Sequence, residues 1–442
     1  DPFAPDVVAV PTRGIERWLT QRLSTRLGTT GDRQDGVCAN VEFPFPGRLI
    51  QAALAAATGL DPENDPWVAE RSVWPLLEVV DDCLGEPWLA TLARHLDGAR
   101  GDPEDPMRRF GAVRHIADLF DRYAVHRPDM VRAWVAQADA NPADWQRELW
   151  RRLRARIGVP SPAERLTPAC ERIRDDPGLL DLPARLSLFG LTRIPRSYLD
   201  VLAAIAVQRD LHLFVLHPSP SLWQTVAAEL QSSAPITNRS GDRTATQPAN
   251  RLLASWGRDV RELQLVVAGA GESVDEHHGL PPAAPQTLLE TIQRDVRDDR
   301  QPPGPPLPGE PDGRSTLHPD DRTVQIHACH GRARQVEVLR DVILHLLEDD
   351  PTLEPRDVIV MCPDIETFAP LIQATFGSGR HADEDDAEDQ GDRDVARTRV
   401  PDLRVRLADR SLRQTNPVLG VVAQVLDLAG GRLTASQVLD LA

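Results

Sequence analysis

A short apolar run, a helix and a second apolar run follow one another between Arg185 and His217, and that order dictates a parallel sheet. Arg185-Leu186-Ser187-Leu188-Phe189-Gly190-Leu191 has the composition of a buried strand, Arg196 to Ala206 that of a helix, and Leu211-His212-Leu213-Phe214-Val215-Leu216-His217 that of a second buried strand. Strands joined through an intervening helix run parallel, because the helix carries the chain back to the end it started from. The same grammar opens the chain. Val7-Val8-Ala9-Val10 is a strand, Pro11-Thr12-Arg13-Gly14 a turn, and Ile15-Glu16-Arg17-Trp18-Leu19 the start of an amphipathic helix. Val37–Phe43 follows as a second strand, and Pro44-Phe45-Pro46-Gly47 turns it into a helix from Arg48.

Between these sheet segments the period changes. From about Pro66 to Arg174 apolar residues recur at helical spacing, as in Val113, Ile116, Ala117 and Phe120, or Leu149, Leu153 and Ile157, with Pro128, Pro142, Pro160 and Pro162 as punctuation. Helices are also expected at Arg251–Val267 and Ala284–Val296. Pro302-Pro303-Gly304-Pro305-Pro306-Leu307-Pro308-Gly309 is a stiff linker. Beyond it the pattern predicts strand Thr323–Cys329, helix Ala333–Leu347, strand Asp357–Cys362, helix Ile365–Phe376, strand Leu403–Leu407 and helix Val418–Leu428. The expected organisation is an α/β first domain (1–60 and 182–300) interrupted by an all-helical insert (61–181). A Pro-rich linker (301–320) and the start of a second α/β domain (321–442) follow, the latter with an acidic loop at 380–399.

At 442 residues the chain is long enough for two or three domains, and 41% hydrophobic residues supply real cores. All fifty basic side chains are Arg; there is no lysine. The formal charge of −17 argues against indiscriminate coating of nucleic acid. The charge is uneven: Asp383–Asp394 holds eight acids against one Arg, whereas Gly101–Arg156 holds eleven Arg against nine acids, so a locally basic path remains open. Cys38, Cys83, Cys170, Cys329 and Cys362 are scattered without a C-x-x-C, as in reduced cytoplasmic thiols. No apolar run reaches the roughly 18 residues of a membrane span. The chain starts at Asp1 and stops within a helical pattern at Leu439-Asp440-Leu441-Ala442, as an internal part of a longer polypeptide would.

The opening strand–turn–helix has the outline of a phosphate-binding loop without its chemistry. Such a loop needs G-x-x-x-x-G-K-[ST], so that backbone N–H groups, a lysine and a hydroxyl meet the phosphates and Mg²⁺. Only Gly14 is present. Where a helicase of this architecture carries Asp-Glu on a later strand, the chain has Leu188-Phe189-Gly190-Leu191-Thr192. His327-Ala328-Cys329-His330 is short of a complementary ligand pair for zinc. Asp118 and Asp121 lie one turn apart on a helix, a carboxylate pair with Arg122 and Arg127 alongside to neutralise it. Arg147, Arg151 and Arg154 share one helix face, which is either a solvated amphipathic face or a wall offering Arg forks to phosphate.

These segments resemble the RecC family, the gamma subunits of exodeoxyribonuclease V (RecBCD helicase–nucleases). The resemblance is carried by Asp1-Pro2-Phe3 leading into Val7–Trp18, by Asn40-Val41-Glu42-Phe43-Pro44-Phe45-Pro46, and by Ala117-Asp118-Leu119-Phe120-Asp121-Arg122-Tyr123 with Arg127-Pro128-Asp129. Leu252-Leu253-Ala254-Ser255-Trp256-Gly257 and the strings His330–Leu339 and Leu347–Met361 extend it. It implies a superfamily 1 helicase fold that has lost its motor residues, with no catalytic, cofactor or metal residues of its own, ATP and Mg²⁺ being used by the partner subunits. It further implies RecB and RecD as partners, a role in double-strand break repair by homologous recombination, and a tunnel that scans the 3′-ended strand for a hotspot sequence. The residues it places along that strand are Arg13, Arg17, Phe45, Asp118, Leu119, Asp121, Arg122, Arg127 and Arg165. Three alternatives stand beside it: an AddB-type subunit, which keeps a P-loop and iron–sulfur cysteines absent here; a still active nucleotide hydrolase; and a subunit-interaction platform that never touches DNA.

Overall fold

The computed structural model describes residues 5–29, 36–97, 106–136, 144–232, 239–270, 274–279, 284–314, 316–377, 416–429, and the single positions 403, 405, 407 and 436. The chain divides into two compact units, Asp1–Thr323 and Val324–Ala442.

In the first unit the described strands are β1 (Asp6–Ala9), β2 (Val41–Glu42), β3 (Arg185–Phe189) and β4 (Asp210–Phe214). They form one parallel sheet in the order β2-β1-β3-β4. The expected α/β class and parallel pairing hold, and β2 is shorter than its expected run. Asn40 enters β2 at φ 58°, a left-handed conformation that Asn tolerates, and its carbonyl accepts the Asp6 N–H at 3.0 Å as the register opens at Val41. One face of the sheet is covered by α2 (Pro46–Thr58), α8 (Pro162–Asp175) and α9 (Arg196–Ala206). Leu186, Leu188, Leu202 and Ile205 are fully buried there, and each contributes roughly 1.5–3 kcal/mol by leaving water.

Helix α1 (Arg13–Ser24) lies at the opposite face, where Trp18 stacks on Phe189 at 6.0 Å between ring centroids. Its seat depends on Gly190, which adopts φ +72° at the end of β3 and passes so close to α1 that a Cβ would sit 3.3 Å from Ile15 Cδ1. Only glycine meets both conditions without strain.

From α3 to α8 the described elements are helices: α3 (Ala69–Cys83), α4 (Ala90–Asp97), α5 (Pro106–His126), α6 (Pro128–Ala136), α7 (Trp145–Ile157) and α8. Val113, Ile116, Ala117 and Phe120 all face a second core with Leu149, Trp150 and Leu153, as their spacing requires. Helix α8 starts with a capping box, in which Ser161 and Glu164 satisfy each other's backbone N–H groups. After β4 come α10 (Pro220–Ser232), α11 (Arg251–Ser255), α12 (Arg258–Ala268) and α13 (Leu288–Arg297). The helix expected over Arg251–Val267 is therefore two helices, broken at Trp256-Gly257. The Pro302–Gly309 stretch is exposed throughout.

The second unit contains α14 (Arg332–Asp349), α15 (Ile365–Gly377) and α16 (Pro417–Ala429), with a small core of Val336, Ile343, Ile372, Phe376 and Leu403. Its helices match the expected ones; the strands expected at Thr323–Cys329 and Asp357–Cys362 do not form. Among the described residues, 324–331 and 358–362 carry no ladder, and Pro355–Asp357 is a single 3₁₀ turn. An extended segment becomes a strand only when a neighbour takes its N–H and C=O groups. Ile326, Ile359 and Met361 remain almost wholly exposed, so these apolar runs lack the sheet that would bury them. Of Leu403–Leu407 only Leu403, Val405 and Leu407 are described, none in a strand. The acidic loop at 380–399 lies outside the described residues.

Candidate functional site

The strand order creates a switch point. From β1 the chain moves to β2 on one side, then returns to place β3 on the other, so the carboxyl ends of β1 and β3 diverge and leave a crevice. A cavity of about 360 Å³ lies there, lined by Pro11 beyond β1, Phe45 and Pro46 beyond β2, Leu188 and Leu191 from the β3 end, and Arg193 and Tyr198 at the start of α9. Its wall is chiefly apolar.

The turn that a phosphate loop would occupy is three residues long, Val10-Pro11-Thr12. The Thr12 hydroxyl accepts the N–H of Ile15 at 3.2 Å, and Pro11 has no N–H to give. The first turn of α1 therefore has one donor already satisfied by its own cap. Arg13 pairs with Glu16 at 2.6 Å and holds its guanidinium 5.3 Å from the centre of the Phe45 ring. The two residues, 32 apart in sequence, form one cation–π contact at the cavity mouth. Arg17, on the next turn, is exposed.

The helical insert contributes the other rim through α5, which packs on α9. Asp121 is open to solvent yet surrounded by protein, as a group in a recess is. That crowding raises its carboxyl above the usual value, helped by the charges of Asp118 and Glu70 and opposed by Arg122 and His126. Burial and the Asp121 charge together push the Tyr198 phenol up. His126 is driven toward its neutral form by burial first, then by Arg122, with Arg127 and Arg193 adding to it. Of these groups Tyr198 and Arg193 line the cavity, while Asp121 and His126 stand on α5, the helix packed against α9. Asp118 pairs with Arg114 at 3.4 Å, and Arg193 chelates Asp259 at 2.7 Å.

The structure thus brings Arg13 against Phe45, which lines the crevice, and sets Asp121 and Arg122 on α5, the helix that packs on α9. Leu119 is half-buried on α5, and Arg127 is exposed just past its end. Arg165 is a different case: it forms a largely buried ion pair with Asp65 that ties α8 to the segment before α3. The α7 arginines do not form an open phosphate row. Arg151 pairs with Glu148, Arg154 with Glu164 and Arg156 with Glu78, while Arg147 is buried. Among the described residues no three His, Cys, Asp or Glu side chains converge as metal ligands, His327-Ala328-Cys329-His330 included. Nor is any described helix long and apolar enough to cross a membrane. Sequence reading misses Arg193, Tyr198 and His126, whose only signal is proximity to the β3 and α5 ends.

Fold and crevice define an α/β protein with a parallel-sheet switch-point site and a helical insert on its rim. The chain belongs to the RecC family: the family model described as RecC, N-terminal domain, matches residues 1–299. It is 46% identical over its full length to the RecBCD enzyme subunit RecC of Mycobacterium tuberculosis, 44% identical to that of Mycolicibacterium smegmatis, and 27% identical to that of Escherichia coli. The chain spans 38% of the length of the first two relatives and 40% of the third.

Proposed function

We propose that this chain is the helicase-like part of a non-catalytic, strand-handling subunit of a RecBCD-type helicase–nuclease acting in double-strand break repair. Its crevice passes the 3′-ended strand and scans it for a hotspot sequence, and its body scaffolds RecB and RecD motors, which bring the ATP and Mg²⁺. The observation that carries this reading is the switch-point crevice itself. Where a motor needs open N–H donors and a lysine, this one offers a capped three-residue turn, an Arg13–Phe45 pair and a rim bearing Arg193 and Tyr198. Arginine forks suit backbone phosphate, aromatic faces suit unstacked bases, and a carboxylate accepts hydrogen bonds from base amino groups. The domain scheme fits the same reading, with 1–60 and 182–300 as the former motor domain and 61–181 as its insert. In the cytoplasm the subunit would meet its DNA ends directly.

The test is an ATPase and crosslinking pair. The chain is expected to hydrolyse no ATP with or without single-stranded DNA, and Arg13→Glu with Arg127→Glu is expected to reduce ultraviolet crosslinking to a 3′-ended strand in the assembled complex. DNA-stimulated hydrolysis by the chain alone, or crosslinking unchanged by both reversals, would overturn it.

A further inference from the structure

Among the described residues, one face of the parallel sheet is covered only in part. Its covered side takes Leu186, Leu188, Leu211 and Leu213, so the alternate residues point the other way. On that side Ser187 registers with His212, and Phe189 with Phe214. Parallel sheets ordinarily have both faces covered. Here α1 reaches the end of β3, and beyond it the face is exposed along β4.

What lies on this face is a row of rings from three elements. Trp18 of α1 stacks on Phe189 at 6.0 Å and 24°, Phe189 meets Phe214 at 6.2 Å, and His212 stacks on Phe214 at 6.2 Å and 22°. Trp18 keeps 49% and Phe214 47% of its surface in solvent, so about half of each ring is open to a ligand. Arg22 holds its guanidinium 5.9 Å from the Trp18 ring centre, and Arg26 follows four residues on. From Arg17 to Arg26 there are three arginines and no acid, in a chain of net charge −17.

We propose that this face is a second contact surface for single-stranded DNA, a stacking platform separate from the crevice. The polymer follows from the strand-handling reading above; the place follows from the ring row and its arginines. Bases of any identity stack on the exposed Trp18 and Phe214 rings, and Arg22 and Arg26 track the backbone, so the surface holds the strand without reading its sequence. The arginines here suit a polyanion in an otherwise acidic chain, and that charge complementarity favours the nucleic acid.

Fluorescence anisotropy of a labelled oligo-dT strand with the 442-residue chain tests this. Phe214→Leu and Trp18→Leu keep apolar bulk and remove the ring, and each is expected to weaken binding by about fivefold to a hundredfold. Neither is expected to change the slope of affinity against salt, because no phosphate contact is lost, whereas Arg22→Gln flattens that slope by about one unit. Phe214→Tyr, which keeps the ring, is expected to bind as the parent does, which separates ring loss from misfolding. Parent-like affinity in both ring-removal variants overturns the platform. If crevice variants at Arg13 and Arg127 still weaken binding in that case, the strand-handling reading survives without it. No binding by the parent at low salt overturns both. Ring variants that bind DNA normally but no longer retain a RecB-type partner would assign the face to protein and overturn the platform alone.

Discussion

Replacing Gly190 with alanine separates two physical demands that meet at the end of β3. The first is backbone: φ +72° costs an L-residue about 1–2 kcal/mol. The second is contact, since the new Cβ would lie 3.3 Å from Ile15 Cδ1, and forcing α1 away adds about 1 kcal/mol, the low end of overpacking costs. Gly59 is the internal control. It has φ +68° at the end of α2, and a Cβ there would meet nothing within 4 Å, so Gly59→Ala reports the backbone cost alone. Gly190→Ala is therefore expected to lose about 2–3 kcal/mol and Gly59→Ala about 1–2 kcal/mol. In an Ile15→Val background the Cδ1 contact is gone, and the Gly190→Ala loss should fall to the Gly59 value, a double-mutant cycle with measurable coupling. All nine tryptophans precede residue 324, so intrinsic fluorescence during urea unfolding follows the first unit alone. An unchanged slope with a lower midpoint is the expected form of the loss. Equal losses at Gly190 and Gly59, or no relief by Ile15→Val, would refute the close seating of α1 on the sheet end.

Asp121 gives a pH prediction. Its folded carboxyl holds its proton above the ordinary value of 3.8, so in the window just above that value the native state binds more protons than the unfolded one, and stability falls as pH rises through it. Asp121→Asn should remove that slope and be more stable than the parent at pH 7, as read from urea midpoints across pH 4–7; a less stable variant at pH 7 contradicts the recess. Arg261 is buried with Asp242 and also donates to Thr244. Arg261→Met leaves a buried carboxylate unpaired and is expected to lose about 3–5 kcal/mol, and a loss under about 1 kcal/mol would show the pair to be hydrated.

How far the sequence carries is visible element by element. The βαβ order at Arg185–His217 and the helical period at Val113–Phe120 are legible because each is a local pattern with one burial solution. The strands expected at Thr323–Cys329 and Asp357–Cys362 fail because a ladder is a property of two segments, and one segment's composition cannot report its neighbour. The crevice is half legible. Arg13, Phe45 and Asp121 follow from resemblance, but that Tyr198 and Arg193 share the cavity wall with Phe45 depends on how α9 starts beyond β3. The resemblance sets Arg165 along the strand path, and only the fold shows Asp65 beside it. The ring row is invisible, because Trp18, Phe189 and Phe214 become neighbours only through the β3–β4 register and the seat that Gly190 provides for α1.

The most direct test places a photoactivatable phenylalanine analogue at Phe45 in the complete subunit, assembles it with its motors, and starts unwinding on a duplex with end-labelled strands. Phe45 lies at the crevice mouth against Arg13. If the switch-point crevice is a strand path, irradiation during unwinding yields an adduct on the 3′-ended strand that depends on ATP hydrolysis by the motors. Adducts confined to protein, or to the 5′-ended strand, would contradict it.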